Sequence, residues 1–182
     1  MIIRHAEKPT EELAGVHPNG DRSENCLIAR GWQRSGALVP YLAPAFGDLM
    51  NPKLARPTYL IAANREAPGA DPKEKSLREE QTLSALSDAI KIGLDVSCGK
   101  GMEARAAEIA MAQAGPVLIA WDHHKIVELS CLISTDPAIP QEWPGTRFDM
   151  VFVFRANKAE GYDFEQVPQM LLPGDLEELF PA

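Results

Sequence analysis

The feature that most constrains this chain is a set of short apolar runs that alternate with helical patterns. The clearest run spans residues 116–121 (PVLIAW), and its length suits a single buried strand. A continuous apolar run of this kind is typical of a parallel sheet that is covered on both faces. Residues 58–63 form a second such run, and Ile2 and Ile3 form the end of a third. This alternation predicts an α/β fold, a three-layer α/β/α sandwich on a mostly parallel central sheet.

The length and charge of the chain narrow the classes of protein it can belong to. Its 182 residues, with 45% hydrophobic content, predict one domain over residues 1–182. A net charge of −8 argues against a nucleic-acid partner, which would normally require a basic face. No apolar run approaches the roughly 20 residues of a membrane span, so no membrane partner is expected. Three cysteines without metal-ligand spacing, and no signal peptide before the first strand, predict a cytoplasmic protein.

Ionisable or polar residues follow each of the three apolar runs. Arg4 and His5 follow the first run, a polar loop over residues 64–75 follows the second, and Asp122 and His123 follow the third. The carboxyl ends of parallel strands lie at one edge of a sheet, where open α/β sheets bind their ligands. The sequence therefore predicts an active-site edge, with the 64–75 loop as a candidate lid.

The residue types at the first strand end favour phosphoryl transfer. A neutral imidazole such as that of His5 can attack phosphorus and carry the phosphoryl group covalently. The guanidinium of Arg4 can bind two phosphoryl oxygens in a bidentate arrangement. On residue types alone, a polar strand end without chemistry is an equal alternative.

Three short motifs in order along the chain resemble the histidine phosphatase (phosphoglycerate mutase-like) superfamily. Residues 4–9 (RHAEKP) resemble its first motif in the RHxEKP variant. Residues 76–82 (SLREEQT) resemble the S-x-R-x-x-Q-T segment, and residues 121–123 (WDH) resemble the second-histidine motif. Residues 29–38 (ARGWQRSGAL) resemble the helix that follows the first loop of the family.

This resemblance implies roles for three side chains. It makes His5 the phosphorylated nucleophile, Arg78 a second phosphate ligand, and His123 a hydrogen-bond donor to the transferring phosphoryl group. Arg65 is the rival of Arg78 for the second position. His124 is the rival of His123, and a metal site at the two adjacent histidines is a further alternative.

The general acid is the least determined part of the predicted site. Asp122 and Glu103 are the candidates, followed by Glu7 and Glu80. Ala6 stands where many family members have glycine, and its backbone is expected to approach the phosphate. No metal and no cofactor are expected.

Other residues receive structural predictions. Helices are expected over residues 27–42, 76–92, 102–114 and 126–133. Pro40 is expected to kink or end the first of these, and Gly93 to terminate the second. Arg30 and Arg34 share one helix face and are expected to form a solvated basic patch. Strands are also expected near residues 95–96, 148–154 and 166–167.

The sequence thus predicts a metal-independent phosphatase that hydrolyses a phosphomonoester or phosphoramidate through a phosphohistidine on His5. Its partner would be a phosphorylated small molecule or a phosphoprotein. Two alternatives stay open: a catalytically inactive phosphate-binding relative, and a phosphoglycerate mutase-like phosphotransferase. Hydrolysis is favoured because the chain lacks long insertions that would enclose a sugar phosphate. The oligomeric state is not predicted.

Overall fold

The structure, a computed structural model, describes residues 1–159 and 161–182, which form a single sheet with helices on both faces. The strands are β1 Ile2–Arg4, β2 Tyr59–Ala62, β3 Leu94–Asp95, β4 Val117–Trp121, β5 Met150–Ala156 and β6 Tyr162–Pro168. The helices are α1 Ala29–Leu42, α2 Arg78–Ile90, α3 Glu103–Met111 and α4 His123–Ile133.

The strand order is β3-β2-β4-β1-β5-β6. The pairs β3–β2, β2–β4 and β4–β1 are parallel, whereas β5 runs antiparallel to β1 and β6 runs antiparallel to β5. The predicted α/β sandwich is confirmed, with a mixed sheet in which the predicted apolar runs form parallel strands. β6 is longer than the predicted residues 166–167. Its side chains are mostly polar, so this seven-residue edge strand contains no apolar run that would predict its full length.

Alternating side chains of the central strands build a core on each face of the sheet. In β4, Leu118 and Ala120 pack in the cluster that contains the apolar residues of α1 and α2. Ile119 and Trp121 pack in the opposite cluster, with α3 and α4. This two-residue period is what a strand buried on both faces requires. Each fully buried large apolar side chain contributes roughly 1.5–3 kcal/mol.

Several element boundaries differ from the predictions. α1 continues two residues past Pro40 and ends at Leu42. The left-handed residue that ends α2 is Lys91, with φ 59°, so Gly93 is not its terminator. α4 begins at His123 rather than at residue 126, because the side chain of Asp122 accepts a hydrogen bond from the His124 N–H and caps the helix.

Neighbouring strands pair with β1 on both of its edges. β1 lies between β4 and β5, and its register places Arg4 opposite Trp121, the last residue of β4. α1 approaches the segment after β1 so closely that a Cβ on Gly31 would lie 2.7 Å from the carbonyl oxygen of Glu7. Only glycine permits this contact, which fixes the backbone directly after His5.

Two further features complete the description of the fold. Residues 64–75 form turns after β2 and are tied to the turn before α3 by hydrogen bonds from the Asn64 N–H to the Cys98 carbonyl and from the Asp71 N–H to the Lys100 carbonyl. The lid role of this segment stays a prediction. Within the described part of the chain, no helix is long and apolar enough to cross a membrane.

Candidate active site

Three elements converge at the carboxyl edge of the parallel strands. His5 follows β1, Asp122 connects β4 to α4, His123 is the first residue of α4, and Arg78 is the first residue of α2. One potential ligand atom from each of His5, Asp122 and His123 lies within 4.8 Å of the other two. The rings of His5 and His123 are nearly perpendicular, with centroids 6.4 Å apart. The structure therefore brings together four of the predicted site residues from three separate chain segments.

His5 is held in one orientation and one tautomer. Its Nδ1 lies 2.7 Å from the carbonyl oxygen of Ala6, and because a carbonyl only accepts hydrogen bonds, Nδ1 carries the proton. Nε2 is left with a free lone pair. Burial lowers the pKa of His5 well below its usual value, and the positive charges of Arg78 and Arg4 lower it further. His5 is thus a neutral imidazole, the form that can act as a nucleophile.

Arg4 is fully buried and rigidly held. Its Nη1 donates to three carbonyl oxygens in one turn, those of Gly145 at 2.7 Å, Arg147 at 2.9 Å and Pro144 at 3.5 Å. Its Cζ lies 3.8 Å from the ring centroid of Phe148. The remaining donors, Nε and Nη2, are buried and have no hydrogen-bond partner among the described residues. Burial lowers the pKa of Arg4 to about 10, so the side chain stays charged at neutral pH.

Arg78 is positioned by a relay of hydrogen bonds that starts beside His5. The Ala6 N–H donates to Thr82 Oγ1 at 2.7 Å, and the Thr82 hydroxyl donates to the Arg78 carbonyl at 2.6 Å. Arg78 Nη1 donates to the Glu24 carbonyl, and its buried Nε has no partner in the described part of the chain. Thr82 occupies the Ala6 N–H, so this group is not a free donor, and the approach of the Ala6 backbone to a phosphate stays a prediction.

Arg65, the rival of Arg78, is directed toward its own loop. Its Nη1 donates to the Lys75 carbonyl at 3.1 Å, and its Nη2 lies 3.4 Å from Glu66 Oε1. Arg78, together with Arg4, therefore acts on the charge of His5, whereas Arg65 does not.

The two adjacent histidines have different environments. His123 is buried, and its Nδ1 has no hydrogen-bond partner within residues 1–159 and 161–182. Burial together with the charge of Arg4 lowers the pKa of His123 to about 4. The side chain of His124 is 66% exposed, and its Nδ1 lies 3.0 Å from Asp122 Oδ1. His123 is therefore the neutral imidazole that shares a site with His5.

Asp122 is ionised. Burial raises the pKa of its carboxyl group, but the charge of Lys100 and the hydrogen bonds from His124 outweigh burial and leave the pKa below its usual value. Lys100 Nζ lies 3.5 Å from Oδ1. Asp122 is the predicted acid that the structure places beside His5, yet it carries no proton of its own at neutral pH.

Glu103 and Glu7, two other acid candidates, make structural contacts instead. Glu103 Oε1 accepts hydrogen bonds from Trp121 Nε1 at 3.1 Å and from the Gly101 N–H at 2.9 Å. These contacts hold it at the start of α3, apart from the group formed by His5, Asp122 and His123, so Glu103 is not placed as the acid. Glu7 is buried against two arginines of α1.

The prediction of a solvated basic patch on α1 is wrong. Arg34 is 2% exposed and donates to Glu7 and to Asp175, 141 residues away in the chain. Arg30 shares both carboxylates, at 3.1 Å from Glu7 and 3.5 Å from Asp175. The C-terminal segment supplies Asp175, and the spacing of the arginines along α1 carries no sign of it.

The residues around the space between His5, Asp122 and His123 contain groups that bind cations and groups that bind anions. Two neutral imidazoles and a carboxylate are a reasonable ligand set for a divalent metal. The charges of Arg4 and Arg78 act on the same space, and the positive end of the α4 dipole points into it. These three sources of positive potential oppose a cation and favour an anion.

Sequence reasoning missed two residues near this site. Phe148 stacks beneath Arg4 and also lies 6.0 Å from His5, ring centroid to centroid. Glu79, which follows Arg78, is buried rather than solvated. A single charged or aromatic residue gives no local signal of such burial, because the partners come from distant segments.

Comparison with known proteins supports the fold. No protein-family model and no curated protein sequence matches the chain. The structure is similar to the solved structure of the protein histidine phosphatase SixA complexed with tungstate, with a TM-score of 0.55 and 15% sequence identity. The alignment covers 92% of this chain and 95% of that chain. At this identity the similarity establishes a shared fold.

Proposed function

We propose that the chain is a histidine phosphatase that forms a phosphohistidine on His5 and hydrolyses it. One observation carries the proposal: the buried side-chain nitrogens without a protein partner all belong to residues that neighbour His5 or act on its charge. They are Arg4 Nε, Arg4 Nη2, Arg78 Nε and His123 Nδ1. Among the described residues, these four are the only buried side-chain polar atoms left without a hydrogen bond.

Such a cluster is unfavourable unless a ligand binds to it. A buried donor without a partner costs about 1–3 kcal/mol, and a charged donor costs more. A tetrahedral oxyanion offers acceptor atoms in several directions and would satisfy these donors together. Tungstate, present in the SixA structure, is an anion of this shape. The phosphoryl group of a substrate has the same shape and charge.

The geometry supports covalent catalysis at His5. Nε2 attacks phosphorus, the P–N bond forms, and the bond to the leaving oxygen breaks as that oxygen takes a proton. Arg4 and Arg78 neutralise charge on the phosphoryl oxygens, and His123 donates to one of them. Water then attacks phosphorus, gives up a proton, and releases inorganic phosphate and neutral His5.

The proposed substrate is a phosphomonoester or phosphoramidate on a small molecule or a phosphoprotein. The chemistry needs no metal, because two guanidinium groups supply the positive charge that a metal would otherwise provide. Cys26, Cys98 and Cys131 are free thiols, which supports the predicted cytoplasmic location.

The first test is hydrolysis of p-nitrophenyl phosphate by the wild type and by His5→Ala, in the presence of a chelator. We expect turnover in the wild type and its loss in the variant. His17→Ala is the matched control, because His17 lies in the 10–25 loop beside Cys26 Sγ, outside the cluster. Full activity of His5→Ala would refute the assignment.

Trapping the phosphorylated enzyme distinguishes a phosphatase from an inactive phosphate-binding protein and from a phosphotransferase. Rapid quenching with radiolabelled substrate should give an acid-labile, base-stable label that is absent from His5→Ala. Tungstate binding without label or turnover would identify an inactive phosphate-binding protein instead. Transfer of the label mainly to an added alcohol rather than to water would identify a phosphotransferase.

A further inference from the structure

Glu79 is a buried carboxyl group for which the mechanism above has no role. It lies in the first turn of α2, directly after Arg78, and is 3% exposed. Its Oε2 accepts a hydrogen bond of 2.6 Å from Ser76 Oγ. No lysine or arginine pairs with it within the described residues, which is unusual for a buried glutamate.

A small cavity connects Glu79 to the site. Glu79 and Asp122 both line it, together with Ser76 and Lys100. Its volume is about 10 Å³, close to the minimum that one water molecule requires. Polar groups surround it, so a water there would have the hydrogen-bond partners it needs.

The carboxyl groups of Asp122 and Glu79 differ in their protonation state. Asp122, beside His5, is ionised, and a leaving oxygen cannot take a proton from it unless another group supplies one. Burial raises the pKa of Glu79 to about 7, and the negative charge of Asp122 contributes to this rise. Glu79 therefore holds a proton below about pH 7. The charged groups that face Glu79 or its cavity are Arg4, Arg78, Arg65, Lys100, Glu74 and Asp122.

We propose that Glu79 is the proton store of the site and supplies the leaving oxygen through a water in this cavity and through Asp122. The proposal rests on the proposed phosphatase function. Glu79 touches no substrate atom in this scheme, because Asp122 makes the contact with the leaving group.

The proton balance closes over one turnover. As the P–O bond breaks, Asp122 passes to the leaving oxygen the proton that it receives through the water from Glu79, which becomes a carboxylate. When water attacks the phosphohistidine, its proton returns by the same route to Glu79. The sum is phosphomonoester plus water giving alcohol plus inorganic phosphate, with the enzyme unchanged.

The test compares two leaving groups in Glu79→Gln. p-Nitrophenolate leaves without a proton near neutral pH, whereas the alkoxide of glycerol phosphate must be protonated. The rate measured is that of His5 phosphorylation in a single turnover. With glycerol phosphate we expect a loss of about 10²-fold. With p-nitrophenyl phosphate we expect little change.

The pH profile supplies a readout that a structural role would not alter. The wild-type rate with glycerol phosphate should fall as the pH rises through about 7, where Glu79 loses its proton. The rate of Glu79→Gln should be low and should lack this transition. The amide side chain of this variant keeps an acceptor for the Ser76 hydroxyl, so the fold is expected to persist, and a thermal unfolding midpoint checks it.

Asp88→Asn is the matched control, because Asp88 lies on the same helix, is exposed and does not line the cavity. It should behave as the wild type with both substrates. Equal losses with both substrates in Glu79→Gln, or an unchanged rate with glycerol phosphate, would overturn the proposal. Failure of the phosphatase assignment would look different, since p-nitrophenyl phosphate would then leave no label on His5.

Discussion

Two fully buried arginines, Arg4 and Arg34, have opposite surroundings. Arg34 meets two carboxylates, with Nη2 2.8 Å from Glu7 and 2.7 Å from Asp175, and Nη1 donates to Gln169 at 3.0 Å. Arg4 meets no carboxylate at hydrogen-bond distance in the described part of the chain, and two of its donors have no partner there. Both are 2% exposed or less. The difference fits a structural role for Arg34 and the proposed ligand-binding role for Arg4.

The pKa values of the two arginines follow from these surroundings. Burial lowers the pKa of both groups, but the hydrogen bonds and charges of Asp175 and Glu7 reverse this for Arg34 and raise its pKa above the usual value. For Arg4 burial dominates, and the pKa is about 10. The negative charge of Asp122 acts on Arg4 but does not offset burial, and this supports the proposal that an anion from solution binds to Arg4.

The largest expected effect is on catalysis by Arg4→Lys. Lysine keeps a positive charge and can reach the carbonyls of the 144–147 turn, but it loses the planar pair of donors. We expect the single-turnover rate with p-nitrophenyl phosphate to fall about 10³–10⁵-fold. The free energy of unfolding, measured in urea, should change by about 1 kcal/mol or less. A large loss of stability with normal activity would reverse the roles assigned to the two arginines.

Arg34→Met should show the opposite pattern. Removing the guanidinium leaves the carboxylates of Glu7 and Asp175 buried without their partner, which typically costs about 3–5 kcal/mol. Urea unfolding measures this loss. The activity of the molecules that remain folded should stay near that of the wild type, because Arg34 does not contact the anion site. Stability equal to that of the wild type would contradict a structural role.

The contrast between these arginines also shows what the sequence can and cannot predict. Arg4 follows an apolar run directly, so its place at a strand end is readable from local pattern, and so is the order of helices and strands. The register of residues 76–82 and 121–123 distinguished Arg78 from Arg65 and His123 from His124, and the structure places the chosen member of each pair at the site. Their chemical roles stay predictions.

Contacts between residues far apart in the sequence could not be predicted from local pattern. Arg34 looks like any charged residue on a helix until Asp175 of the C-terminal segment is brought against it. Glu103 looked like an available acid, but Trp121, 18 residues further on, occupies its Oε1. Glu79 was overlooked for the same reason, since its burial depends on chain segments before and after α2. Local periodicity carries no information about such partners.

Tungstate binding should also distinguish Arg4 from Arg34, through a smaller effect on thermal stability. At a tungstate concentration about 100 times the dissociation constant, binding to the native state should stabilise it by about 2.7 kcal/mol. For a chain of this length, that corresponds to a rise of roughly 5–10 °C in the thermal midpoint. The rise should persist in Arg34→Met and be largely lost in Arg4→Lys, as measured by scanning calorimetry. An equal rise in both variants would place the anion elsewhere.

The smallest effect is expected for Arg30→Ala. Arg30 lies one helical turn before Arg34 and contacts the same two carboxylates, but its side chain is 37% exposed. Water and salt screen such a pair, so its loss should cost about 1 kcal/mol or less in urea unfolding. In Arg30→Ala, Arg34 still neutralises Glu7 and Asp175, whereas in Arg34→Met the exposed Arg30 cannot follow them into the interior. An equal loss of unfolding free energy in the two variants would contradict this prediction. It would mean that the burial of Arg34 does not make its ion pairs more stabilising than those of Arg30.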